Sequence, residues 1–301
     1  MKWWQQTLAA GVVTLGVLGV SQEASADAAA GDVTVTLGQD LSSEQRSSLL
    51  EEMDVTEGEV PVVEVTNEEE YQYLGDYLSS SEIGSRALSS AKITAVENGG
   101  GIDIETNKID TVTEGMYANA LATAGVEDAE VYVTAPFEVS GTAALTGILK
   151  AYEQQNNVNI SEDQKQVANE EIAKTSELGE DIGKEEATTL ITQIKQEINN
   201  TEINNTEDIR VIVQNVSGDM NIELSEEQTD ELVSLFDRMQ NLNIDWSQME
   251  KQLDKASENI DSFVNSEDTQ NFLSRVVAFL EQMLDSVQGW FNSNSDSGES
   301  A

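Results

Sequence analysis

The sequence predicts an α+β fold, with an α/β-like sheet domain first and an all-α helical domain after it, and three observations carry that prediction. Short runs of alternating apolar and polar residues, such as Asp32-Val33-Thr34-Val35-Thr36-Leu37-Gly38, interleave with capped helical stretches up to about residue 156. Beyond that point strand-like runs nearly vanish and amphipathic stretches follow one another. At the join, Val131 to Lys150 reads as a buried strand, a proline corner at Pro136, and a helix whose small residues let it lie close against a sheet. The expected boundaries are a signal peptide over 1–26, a sheet domain over 27–156, a helical domain over 157–291 and a disordered acidic tail over 292–301.

Taken in order, the first strand ends at Gly38, and a helix to about Met53 opens on a capping box formed by Ser42 and Gln45. Val60 to Thr66 reads as the second strand, with Pro61 near its start, where a missing N–H is tolerated. A helix from Asn67 then sets Tyr71, Leu74, Tyr77 and Leu78 on one face. Ile83 to Ala91 fits either a short helix or a loop. Lys92 to Glu97 and Ile102 to Thr106 read as the two arms of a hairpin around Asn98-Gly99-Gly100-Gly101. Thr111 or Thr113 opens a helix that Gly125 closes. A strand over 130–135 and a helix over 141–155 complete the sheet domain. Helices follow at about 161–178, 184–199, 206–217, 225–241, 245–264 and 268–291. Ser161 with Gln164 and Ser225 with Gln228 repeat the first capping device, but no fixed period joins the copies, so no duplication is inferred.

Composition narrows the chemistry. The 301 residues hold 57 acids against 15 bases, a net charge of −42, with neither cysteine nor histidine. Disulfides, thiolate chemistry, the usual zinc sites and every histidine-dependent triad are closed, and no cofactor motif is present. Clustered Lys and Arg are lacking, so nucleic acid is not an expected partner. The acids are spread along the whole chain, as in a solvated coat adapted to brine, where salt screens self-repulsion. Lys2, the apolar run Leu8 to Val20 and Ala24-Ser25-Ala26 form a secretory signal with cleavage near Ala26. That run of 13 residues is short of the ~20 a spanning helix needs, and no later stretch is apolar enough. The mature chain is therefore expected outside the cell, secreted or wall-associated.

Val133-Thr134-Ala135-Pro136-Phe137-Glu138-Val139-Ser140-Gly141-Thr142-Ala143-Ala144-Leu145-Thr146-Gly147-Ile148 carries a family likeness. With Met116 to Leu121 upstream and Ile209 to Val213 and Ile244-Asp245-Trp246 downstream, it resembles the YpuA-like secreted proteins of bacilli. The likeness runs from roughly Asp32 to Leu284. It implies export from a Gram-positive cell and an envelope association. The family is of unknown function and offers no catalytic residue to carry over.

Four stretches are candidates for function. Ser140-Gly141-Thr142 at a helix start offers backbone N–H groups and two hydroxyls to a ligand's anion or carboxylate; it equally fits a helix cap with close packing through Gly141, Ala143, Ala144 and Gly147. Ser89-Ser90-Ala91-Lys92 has a Ser-x-x-Lys spacing, which needs one helix to bring its ends together, yet Lys92 falls in a strand pattern. Asp103, Glu105, Asn107, Ile109, Thr111 and Glu114 match the spacing of a calcium loop, but Lys108 stands where the turn needs glycine, so no metal site is assigned. The last helix presents Phe272, Val276, Phe279, Leu280, Met283, Trp290 and Phe291 on one broad face, for the preceding helices or for a partner. The expected function is a noncatalytic binding or interaction module with a cell-wall or envelope partner. The alternative is an exported hydrolase using carboxylates or serine. Raised-pKa carboxylates converging near the Pro136 to Gly147 corner would favour the enzyme.

Overall fold

The computed structural model describes residues 28–242 and 244–259. The expected signal segment, the helix expected over 268–291 and the acidic tail lie outside the described residues. In chain order the elements are β1 (Val33–Gly38), α1 (Ser43–Glu52), β2 (Val62–Val65), α2 (Asn67–Leu74), α3 (Ser80–Ile83), β3 (Ser90–Ala95), β4 (Ile102–Ile109), α4 (Glu114–Thr123), β5 (Ala129–Val139) and α5 (Thr142–Asn156). Five further helices follow: α6 (Glu162–Ile182), α7 (Lys184–Asn200), α8 (Thr206–Asp219), α9 (Glu226–Gln240) and α10 (Trp246–Asn259). The α+β class with a helical second half holds. Capping boxes form at Ser42 and Ser225 as expected, and Thr113 caps α4.

The sheet runs β2-β1-β3-β5-β4, with β1/β2 and β4/β5 parallel and β3 antiparallel to both its neighbours. This corrects the expected hairpin between 92–97 and 102–106. β5 enters between those arms and takes both ladders, pairing Val131 with Ile93 on one side and with Ile104 on the other. Val133, Thr134 and Ala135 of central β5 are buried in succession, whereas edge strand β4 keeps only Ile102 and Ile104 buried, with Asp103 and Glu105 exposed. The glycine link crosses this slot instead of closing a hairpin. Asp128, just ahead of β5, accepts the Gly99 and Gly101 N–H groups at 3.0 and 2.8 Å and holds the link in place.

Pro136 does not turn a corner either. β5 continues through it to Val139, and its register with β4 jumps from Asn107–Thr134 to Ile109–Val139, beside Lys108 at φ 59°. The proline's missing N–H falls in that irregular stretch, where no ladder bond is due.

Each sheet face packs on its own layer. Val35 and Leu37 meet Leu50 of α1 and Met53 just beyond its end on one side. On the other, Ala91, Ile93, Val131 and Val133 meet α4 and α5. Gly147 lets α5 approach: a Cβ there would stand 2.8 Å from both Thr36 Oγ1 and Val65 Cγ2. Every residue of α4 from Gly115 to Thr123 is buried, because α6, α7 and α10 cover its outer side. One apolar cluster therefore joins Val131 and Leu145 to Ile172, Met249 and Leu253, and a second gathers Ile194, Val213 and Phe236 of α7, α8 and α9.

Candidate functional site

The start of α5 stands at the end of β5, reached through Ser140 and Gly141. Gly141 sits at φ +92°, and a Cβ would lie 2.5 Å from Ile109 Cγ2 and from the Tyr117 hydroxyl, so glycine is required twice over. Buried Tyr117 donates its O–H to the Gly141 carbonyl at 2.6 Å and fixes this turn. With glycine as N-cap, no side chain among the described residues caps α5, and its first backbone N–H groups find no side-chain acceptor there.

Thr142, the first helical residue, donates its hydroxyl to Glu70 Oε1 of α2 at 2.5 Å, while Ser140 Oγ lies 3.2 Å from the same hydroxyl. Asn67 Nδ2 donates to the other Glu70 oxygen at 3.3 Å. Glu70 is 1% exposed. Burial pushes its carboxyl up to about 7, outweighing the hydrogen bonds from Thr142 and Asn67 that pull it down.

These groups wall a cleft of about 470 Å³ whose other lining residues include Ser89, Arg86 and Phe137, with Glu82, Asp110 and Glu138 also facing it. Arg86 carries its guanidinium over the Phe137 ring, 5.9 Å from the centroid, and has no carboxylate partner among the described residues. Ser89 is 3% exposed, and its hydroxyl has no hydrogen-bond partner among the described residues. Phe137 is 44% exposed. The cleft thus offers a cation, hydroxyls and uncapped backbone donors to an acceptor group. A proton can also pass along Glu70, Thr142 and Ser140.

Ser140, Gly141 and Thr142 are therefore brought together in one cleft, while Phe272, Val276, Phe279, Leu280, Met283, Trp290 and Phe291 lie outside the described residues. Sequence reasoning missed Glu70, Ser89, Arg86 and Phe137 as its neighbours. A signal existed for Glu70, since it stands one turn before Leu74 on the packed stripe of α2, where an acid is out of place. Ser89 and Lys92 share no helix: Lys92 lies in β3 and donates to the Met53 carbonyl at 3.0 Å. The calcium-loop spacing falls largely on β4, an extended strand.

Glu70 makes a pH-dependent prediction. Its folded pKa lies above the ordinary carboxylate value, so the folded state holds a proton that the unfolded chain releases. The stability this confers is complete below about pH 4.5 and is lost as pH rises through about 7. Glu70→Gln keeps the shape without the charge. Urea melts across pH should show the variant flatter over that window and more stable than wild type above pH 7.

Over residues 37–256, strands and helices alike, the sequence matches the family described as protein of unknown function DUF1002. The chain belongs to that family. It is also 49% identical over 291 residues to the uncharacterized protein YpuA of Bacillus subtilis (strain 168), covering 96% of this chain and 99% of that one. The likeness read from Val133 to Ile148 is thus borne out over nearly the whole length. No solved structure matches the chain. The DUF1002 match takes in Glu70, Arg86, Phe137 and the Ser140 to Thr142 turn, so the cleft lies within the family's common extent.

Proposed function

We propose that the protein is a noncatalytic binding module working outside the cytoplasm, secreted or at the cell wall of a salt-adapted cell, and that the cleft at the start of α5 holds its ligand. Support for export comes from the signal-like first 26 residues and from an acidic coat without thiols. Among the described residues no helix is long and apolar enough to cross a membrane. The observation that carries the binding reading is Arg86. A guanidinium without a carboxylate partner among the described residues, beside uncapped helix donors and the Ser89 hydroxyl, is an arrangement that an acceptor group on a ligand completes.

Glu70 favours a second reading, an exported hydrolase. A carboxyl held near pH 7 and linked through Thr142 to Ser140 is suited to proton transfer. One experiment separates the two. Cells are fractionated into medium, wall and membrane, and purified protein is incubated with isolated wall material at high salt. On the binding reading the wild type is retained without releasing fragments, and Arg86→Ala weakens retention about tenfold or more, as expected for a lost charged hydrogen bond. Release of glycan or peptide fragments that stops with Glu70→Gln would establish the hydrolase instead.

A further inference from the structure

A second constellation lies away from the cleft, sealed between α4, α6 and α7. Lys195 and Glu171 are each 1% exposed, Asn119 is 3% exposed and Thr123 fully buried. Lys195 Nζ stands 2.5 Å from Glu171 Oε1, 2.7 Å from Thr123 Oγ1, 2.9 Å from the Asn119 backbone carbonyl and 3.4 Å from Asn119 Oδ1. Thr123 donates in turn to Glu171 Oε2 at 2.6 Å. The Asn119 carboxamide is pinned, with Thr192 Oγ1 2.8 Å from Nδ2 and 3.2 Å from Oδ1 and the Thr188 carbonyl 3.4 Å from Nδ2. An amine, a carboxamide and a carboxyl group are thus held together in a site shut off from water, where hydrolysis cannot compete.

We propose that Lys195 and Asn119 condense to an intramolecular isopeptide bond, with Glu171 as the proton carrier. In the starting state the Lys195 ammonium faces the Glu171 carboxylate. Glu171 takes one proton, and the neutral Nζ attacks Asn119 Cγ while Thr192 donates to the oxyanion at Oδ1. The Cγ–Nδ2 bond breaks as Nζ–Cγ forms, a second Nζ proton passes to the departing nitrogen, and ammonia leaves. The third proton stays on the new amide, and Glu171 ends as the neutral acid. Nothing is oxidised or reduced, and no co-reactant is needed.

Two features of the site favour the reaction. Burial lowers the Lys195 pKa against the pull of Glu171, which favours the nucleophilic amine. The groups are held in place before reaction, and effective molarities of such fixed neighbours reach about 10⁵–10⁸ M. The product would tie α4 to α7 across 76 residues of chain in a protein that has no cysteine to form a disulfide.

Intact-mass measurement on the purified full chain, followed by peptide mapping, tests this. The expected mass is lower than the sequence mass by one ammonia, and fragmentation should find the peptides holding Asn119 and Lys195 joined. Joining is required, because a succinimide elsewhere would lose the same mass without linking two peptides. Asn119→Asp should link with loss of water in place of ammonia, whereas Glu171→Gln, if it folds, should keep the full mass. Folded wild type with the uncondensed mass and two separate peptides would overturn the proposal and leave Lys195 and Glu171 as an ordinary ion pair.

Discussion

Lys195→Met is expected to lower the unfolding free energy by about 3–5 kcal/mol, whether it removes the cation facing buried Glu171 or the covalent tie to Asn119. Against a total stability of about 5–15 kcal/mol for a typical domain, that is enough to unfold much of the protein at moderate temperature. Urea melts at high constant salt give the value. The pair Lys195→Met with Glu171→Leu removes both charges, and apolar replacement of a buried ion pair is often neutral. A double variant as unstable as the single one would show that charge burial is not what makes Lys195 matter. A shortfall of about 4 kcal/mol remaining in the double variant would match loop closure by the covalent tie, on the reasoning used for disulfides.

Gly141→Ala is expected to lose about 3 kcal/mol. Part is backbone strain, since an L side chain at φ +92° gives up about 1–2 kcal/mol. The rest is overlap of the new methyl with Ile109 and the Tyr117 hydroxyl, which also endangers the O–H bond to the Gly141 carbonyl. Gly58→Ala is the control, having φ +88° but no atom within 4 Å of the added carbon. Equal losses at the two glycines would mean that the turn before α5 is not tightly packed.

Much of this architecture was legible in the chain. Alternation marked β1 and β3, capping pairs such as Ser42 with Gln45 and Ser225 with Gln228 marked helix starts, and the small residues from Gly141 to Gly147 marked where a helix comes close to the sheet. What local pattern could not show is pairing between distant segments. Two strands joined by a glycine link look alike whether they pair directly or admit a third strand, and only the uncharged run Val131 to Ala135, against the acids Asp103 and Glu105 of β4, hints at the latter. For the cleft, Ser140 to Thr142 were visible because a cap has a local sequence pattern. Arg86, Ser89 and Glu70 were not, since each reaches the site from another element. The Lys195 constellation was hidden more deeply, as Asn119, Glu171 and Lys195 become neighbours only after three helices have packed.

The insertion of β5 bears on the order in which the sheet can be completed. A chain emerging from its N-terminus exposes β3 and β4 before the strand that unites them exists. Until residues 129–139 arrive, β4 has no partner within the sheet and presents an open backbone ladder to whatever lies nearby. Asp103 and Glu105 on that lone strand carry like charge in every copy, so nascent chains repel one another along the ladder they would otherwise share.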